Sequence, residues 1–229
     1  MALNLFFLKN ISLFFTFFII SIPLICYGDT MTADSKMALA KEFYKKDPQF
    51  DFFNIFEPPA DYVMFGDSIT ASAMWNDIFP NQKIINRGIV GDRIYQMPYR
   101  IFQITKLKPK IIFINGGLND INDNRLPEEV FEDYKFLVKA LEAKGSQIVI
   151  QSTFECNEKI CGKKLSKIRK LNSYLYDFAN KNNIRFINVN EEISSLKIGL
   201  LPEYTRDGYH LLSNGYLAWS KKIAPFILN

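Results

Sequence analysis

The stretch Tyr62-Val63-Met64-Phe65-Gly66-Asp67-Ser68-Ile69-Thr70 decides how this chain reads. An apolar run stops at Gly66, a polar turn carries Ser68, and a helix can begin directly behind it. The pattern predicts a strand-to-helix turn that offers one hydroxyl at the end of a strand. Unpaired helix amides would face whatever that hydroxyl attacks. Such a turn suits a nucleophile. Taken alone it suits a helix cap equally well, so its meaning rests on what the rest of the chain supplies.

Outward from it, a β-then-α alternation begins at Asp61. Strands are predicted at Tyr62–Phe65, Lys83–Asn86, Ile111–Asn115, Gln147–Gln151 and Ile184–Val189. Each is a short continuous run rich in Ile, Val and Phe, as in strands buried on both faces of a parallel sheet. Helices are predicted between them. One is Arg93–Leu107, where Pro98 either kinks the helix or marks its first turn. Another runs from Leu126 to Lys144, opened by Pro127 with Glu128 and Glu129 on its dipole and closed by Gly145. A third is Leu165–Asn180, and a last one follows Ser213-Asn214-Gly215 through Leu217, Trp219, Ile223 and Phe226. Five strands with intervening helices predict an α/β fold: a three-layer α/β/α sandwich on a central five-stranded parallel sheet.

Upstream, Met31–Lys46 can be helical, and Asp47-Pro48 stops it. Gln49–Ala60 holds Phe50, Phe52, Phe53 and Phe56 and ends in Pro58-Pro59 and Ala60. Residues 29–60 therefore read as an arm that packs on the domain at 61–229. Residues 1–28 read as an export signal. Lys9 is the one charge before Asp29, an apolar stretch runs from Ile11 to Cys26, and cleavage is expected near Gly28. The competing readings are an uncleaved membrane anchor at residues 3–26 and lipidation at Cys26. The chain is thus expected to be exported, to the periplasm or outside the cell, and to meet a membrane only through this segment. Removing it leaves Cys156 and Cys161, which could form a small-loop disulfide in an oxidising compartment or stay as two free thiols.

A chain of 229 residues can build one α/β domain with a sizeable core, and its net charge of +4 is spread thinly. That charge makes no case for nucleic acid, which needs a clustered basic face. The single histidine, His210, must serve any mechanism that needs an imidazole base.

Active residues of such sheets gather beyond the carboxyl ends of the strands. Three of the stretches with chemistry follow predicted strands: Gly66-Asp67-Ser68, Asn86-Arg87-Gly88-Ile89-Val90-Gly91-Asp92 and Asn115-Gly116-Gly117-Leu118-Asn119-Asp120. The fourth, Asp207-Gly208-Tyr209-His210, precedes the last helix. A serine hydroxyl needs a base to take its proton, and His210 is the imidazole available. That base needs a carboxylate to hold its tautomer, and Asp207 stands three residues before it. The oxyanion needs pre-aimed donors. The backbone amides of Ser68 and Gly91 and the side chain of Asn119 are candidates. Asp67 is expected to brace the turn and take no part in proton transfer. The chemistry calls for no metal and no cofactor.

These four ordered blocks resemble those of the SGNH hydrolases, also called the GDSL esterase/lipase family. The resemblance runs from about Asp61 to the C-terminus and implies that family's flavodoxin-like fold. It implies Ser68, Asp207 and His210 as catalytic triad and Ser68, Gly91 and Asn119 as oxyanion hole. Gly66-Asp67-Ser68-Ile69-Thr70 with Asn86-Arg87-Gly88-Ile89 and Gly91-Asp92 is most similar to the branch with platelet-activating-factor-acetylhydrolase-like and carbohydrate O-acetylesterase members. Arg93 departs from that branch, which often has a small hydroxyl residue there, and Ile69 replaces a Leu. The implied activity is hydrolysis of short-acyl esters, with an acetylated glycan or a small-molecule ester as partner. A lysophospholipase or thioesterase, an O-acetyltransferase and a non-catalytic binding module are the alternatives. Trp75, Arg87, Arg93 and Tyr95 lie near the site in sequence and could contact a sugar or acid group.

Overall fold

The computed structural model describes residues 31–142 and 144–228. The export-signal expectation for residues 1–28 lies outside the described residues. Helix α1 (Ala33–Tyr44) is capped by Thr32, and α2 (Pro48–Ile55) by Asp47 with Pro48 in its first turn. Then follow β1 (Tyr62–Gly66), α3 (Ser68–Ala71), α4 (Trp75–Ile78), β2 (Ile84–Gly88), a 3-10 turn at Met97–Arg100 and α5 (Phe102–Thr105). The chain continues through β3 (Ile111–Ile114), α6 (Leu118–Asn122), α7 (Pro127–Glu142), β4 (Gln147–Gln151), α8 (Glu158–Cys161) and α9 (Lys164–Lys181). It ends with β5 (Arg185–Ile187), the small antiparallel pair β6 (Ser194–Ser195) and β7 (Gly199–Leu200), and α10 (Ser213–Ile227).

The five-stranded sheet is parallel throughout, in the order β2-β1-β3-β4-β5. Every residue of β1 is buried, as its unbroken apolar run requires. The chain steps outward from β1 to β2, then returns to the other side of β1 for β3. The loops after β1 and β3 therefore diverge, and a crevice opens at that reversal.

Helices cover both faces of the sheet. On one, α10 reaches β1 and β3: Tyr62 Oη donates to the carbonyl of Ile227, and Phe226 packs edge-on to Phe113. On the other, the Arg87 guanidinium lies 4.5 Å over the Phe53 ring of α2. Between α4 and α10 the rings of Trp75 and Trp219 meet edge-to-face at 4.7 Å, and Phe154 closes on Trp219 at 4.8 Å. The indole N–H of Trp219 donates to Gln151 Oε1 at 2.6 Å. A large ring is tolerated there because its one polar atom finds a partner.

The helix expected over Arg93–Leu107 is a correction. The segment breaks into a turn, the 3-10 turn with Pro98 near its start, and the four residues of α5. Pro98 has no N–H to continue a helix, and the break lets Arg100 turn inward, fully buried. In the arm, Phe53 is buried, while Phe52 and Phe56 stack on each other at the surface with ring centres 4.3 Å apart.

Truncating Trp219 to Ala removes the largest shared contact of this layer. It is expected to cost about 3–5 kcal/mol, read as a lowered urea midpoint with the slope unchanged.

Candidate active site

Ser68 sits at the first position of α3, directly beyond β1. Asp67 caps that helix: its Oδ1 accepts from the Ile69 amide at 3.0 Å. From the far side Tyr216 Oη of α10 donates to the Ile69 carbonyl at 2.9 Å, pinning the same turn. The Ser68 Oγ lies 3.0 Å from His210 Nε2, and His210 Nδ1 lies 2.8 Å from Asp207 Oδ2. The structure thus joins three residues spread over 140-odd positions into one hydrogen-bonded relay.

Asp207 is held by its own turn. Its Oδ1 accepts from the amides of Tyr209 at 2.9 Å and His210 at 2.8 Å. Partial burial works to raise its pKa. The two amides and the imidazole outweigh that and bring it down to about 2. An ionised carboxylate therefore faces Nδ1, which orients the ring with Nε2 toward the serine and supports the imidazolium when it forms. Asp67 is the opposite case. Burial drives its carboxyl up to about 7 despite the Ile69 amide.

The three candidate oxyanion donors sit on loops that the strand order sets side by side. Gly91 turns the loop after β2 at φ +78°, where a side chain would strain the backbone. Neither the Ser68 nor the Gly91 amide has a hydrogen-bond partner among the described residues. Asn119, in the first turn of α6, spends one amide hydrogen on the Asp92 carbonyl at 3.0 Å. That bond fixes the amide and leaves its second hydrogen to donate.

These loops share a buried frame that was not read from the sequence. The guanidinium of Arg100 donates to the Gly66 carbonyl at the end of β1 (3.0 Å) and to the Arg87 carbonyl near the end of β2 (2.8 Å). It also holds the Asp92 carboxylate at 2.8 and 2.5 Å and lies 4.3 Å over the Phe65 ring. Asp92 takes a further hydrogen bond from Tyr44 Oη of α1 at 2.6 Å. A second buried carboxylate, Asp120, accepts from the Ile94 amide at 2.9 Å and from Arg125 at 2.6 Å, and burial raises it to about 6. The signal that could have found Arg100 is a lone cation inside an otherwise apolar run.

The expected substrate contacts divide. Trp75 is buried, its indole N–H donating to the Thr70 carbonyl, so it supports the turn and offers no surface to a substrate. Arg87 is buried too and donates to the Phe56 carbonyl of the arm. Both corrections have one cause: proximity in sequence to Ser68 did not report the direction of the side chain. Arg93 is half-buried, paired with Asp123 at 2.6 Å and bonded to the Gly91 carbonyl at 2.7 Å. Tyr95 lines a cavity of about 270 Å³ against α1 and α7, with Arg125 over its ring. Cys156 and Cys161 are joined by a disulfide.

Residues 64–218 match the family of GDSL-like lipases and acylhydrolases. The fold is similar to that of a GDSL-like lipase from Bacteroides thetaiotaomicron, at 24% identity and TM-score 0.70, covering 83% of this chain and 97% of that one. It is also similar to a protein described as an acylhydrolase from Bacteroides fragilis, at 25% identity and TM-score 0.67, covering 86% and 97%. An acetyl xylan esterase aligns at 18% identity and TM-score 0.63, covering 72% and 97%. No curated protein matches the sequence significantly. The chain belongs to the GDSL-like lipase/acylhydrolase family, whose members are carboxylic ester hydrolases.

Two outcomes follow from the frame and the cap. Arg100→Met leaves the buried Asp92 carboxylate without its cation and takes one donor each from the Gly66 and Arg87 carbonyls, at a cost of about 3–5 kcal/mol, measurable by chemical denaturation. Asp67 binds a proton in the folded chain up to about pH 7, whereas the unfolded carboxyl loses it near the ordinary value of about 4. Its stabilising contribution is therefore full below pH 4 and fades as pH rises through 7. Asp67→Asn keeps the acceptor for Ile69. The wild type should lose stability relative to this variant across that window, at up to about 1.4 kcal/mol per pH unit; parallel pH–stability curves would contradict the protonated cap.

Proposed function

From that family membership, we propose that the protein is an exported serine esterase that removes short acyl groups, chiefly O-acetyl, from envelope or host carbohydrate. The observation that carries the reading is the Ser68–His210–Asp207 relay at 3.0 and 2.8 Å. In the proposed cycle His210 Nε2 takes the Ser68 proton while Asp207 holds Nδ1. Ser68 Oγ then attacks the ester carbonyl, and the amides of Ser68 and Gly91 and the Asn119 side chain receive the oxyanion. The imidazolium protonates the leaving alcohol. Water, deprotonated by the same nitrogen, attacks the acyl-enzyme, and the second tetrahedral intermediate returns Ser68 and the free acid.

Short acyl groups fit the compact loops after β1, β2 and β3, and the shared fold with an acetyl xylan esterase supports a glycan substrate. Export rests on the apolar N-terminal stretch and accords with the Cys156–Cys161 disulfide. One observation favours a longer acyl group. The cavity at α1 is lined by Met37, Tyr95, Tyr99 and Phe136. A Cβ built at Gly91 would stand 3.8 Å from the ring of Phe43, on the same face of α1.

The test is hydrolysis of p-nitrophenyl acetate, butyrate, octanoate and palmitate beside acetylated xylan, with and without an acceptor alcohol. The reading expects turnover highest on acetate, acetate released from xylan, and hydrolysis as the product in the presence of acceptor. Ser68→Ala and His210→Ala should each lower kcat by at least about a thousandfold. Palmitate cleaved as fast as acetate would move the assignment to the longer-acyl reading.

A further inference from the structure

The turn that carries Asp207 and His210 lies at the surface, with both side chains a little over a third exposed. Most of its hydrogen bonds are its own. Gly208 N donates to Thr205 Oγ1, whose hydroxyl donates to the His210 carbonyl, and the Arg206 amide donates to that same carbonyl. Among the described residues one backbone hydrogen bond reaches residues 206–210 from outside the loop: Asn157 N donates to the Gly208 carbonyl at 2.8 Å. Ile160 packs against the same glycine. Gly208 has φ +88°, and a Cβ built there would stand 3.0 Å from Ile160 Cβ.

Asn157 and Ile160 both lie inside the loop closed by Cys156–Cys161, whose Cα atoms are 6.2 Å apart. The loop contains α8, a single turn too short to hold its shape alone. Its other end is fixed to β7: Leu200 N donates to the Cys156 carbonyl, and Asn157 Nδ2 donates to the Leu200 carbonyl. The disulfide therefore keeps one donor and one apolar side chain in register against Gly208, one of the two residues between the carboxylate and the imidazole.

We infer that the disulfide-closed segment Cys156–Cys161 is a positioning element for the Asp207–His210 pair, so that turnover depends on the thiol–disulfide state of these cysteines. The inference rests on the triad reading above. Opening needs a dithiol reductant. Its two thiols give two electrons and two protons and become a disulfide, the Cys156–Cys161 bond breaks, and each cysteine leaves as a thiol. The released segment no longer holds Gly208, and the imidazole spends less time in line with Ser68. The imidazole moves a proton and its displacement acts on the chemical step, so the loss falls on kcat.

The experiment compares the full chain with Cys156→Ala/Cys161→Ala, Ile160→Ala and Ile160→Val. It reads kcat and KM for p-nitrophenyl acetate and the rate of Ser68 labelling by a fluorophosphonate probe. Ile160 is exposed, so its variants isolate the contact from folding. The double variant and Ile160→Ala should lose about tenfold to a hundredfold in kcat and in labelling rate, with KM within about twofold. Ile160→Val, which keeps the branched contact, should restore most of the loss. Wild-type kcat in both the double variant and Ile160→Ala overturns the inference, as does a loss confined to KM. A wild-type chain whose Ser68 takes no label sinks the triad reading instead.

Discussion

A single buried guanidinium sets the geometry on which this site depends. The parallel sheet ends in carbonyls that point out of its carboxyl edge, and buried carbonyls must find donors. Arg100 donates to Gly66, beside the Ile89 amide, and to Arg87, and two more of its hydrogens bind Asp92. The end of β1, which leads into Ser68, is thereby fixed to the loop that presents Gly91. The Asp92 carbonyl then holds Asn119, and the Asp92 carboxylate takes the Tyr44 hydroxyl. One ion pair draws three loops and the N-terminal arm into a common frame. Its worth lies in that arrangement more than in net stability, since a buried ion pair only roughly repays its desolvation.

The two halves of the relay are built differently. The serine half is embedded: α3 is capped by a buried carboxyl, pinned by Tyr216 and footed on the sheet. The Asp207–His210 half is a surface turn that relies on its own hydrogen bonds and on a neighbouring disulfide loop. Environment also separates the two carboxyl groups nearest the chemistry. Amide donors and the imidazole keep Asp207 ionised, while burial keeps Asp67 near neutrality. His210 is thus paired with the carboxylate that can support its charge.

The β-strands were legible because each is an apolar run buried on both faces, and hydrophobic patterning reports that directly. The strand order, with its reversal at β1, was not read from the sequence; it emerges from the pairing of the folded strands. The relay was legible because its parts are few: one histidine, an aspartate three residues before it, and a serine in a Gly-Asp-Ser turn at a strand end. The break at Pro98 was not, since Ile94, Met97, Ile101 and Ile104 keep a helical spacing while the backbone turns to bury Arg100. Arg100 itself reads as a surface charge until its partners at Gly66, Arg87 and Asp92 are seen together. The inward directions of Trp75 and Arg87 were hidden for the same reason: tertiary packing, not local pattern, sets them.

The most direct measurement is peptide-level mass spectrometry of the protein acid-quenched during turnover of p-nitrophenyl acetate. An acyl-enzyme mechanism through this relay places an acetyl group on the Ser68 side chain, accumulating in the pre-steady state and lost on further incubation. Turnover with no covalent acetyl on Ser68, or with the acetyl on another residue, would contradict the assignment of Ser68 as the nucleophile.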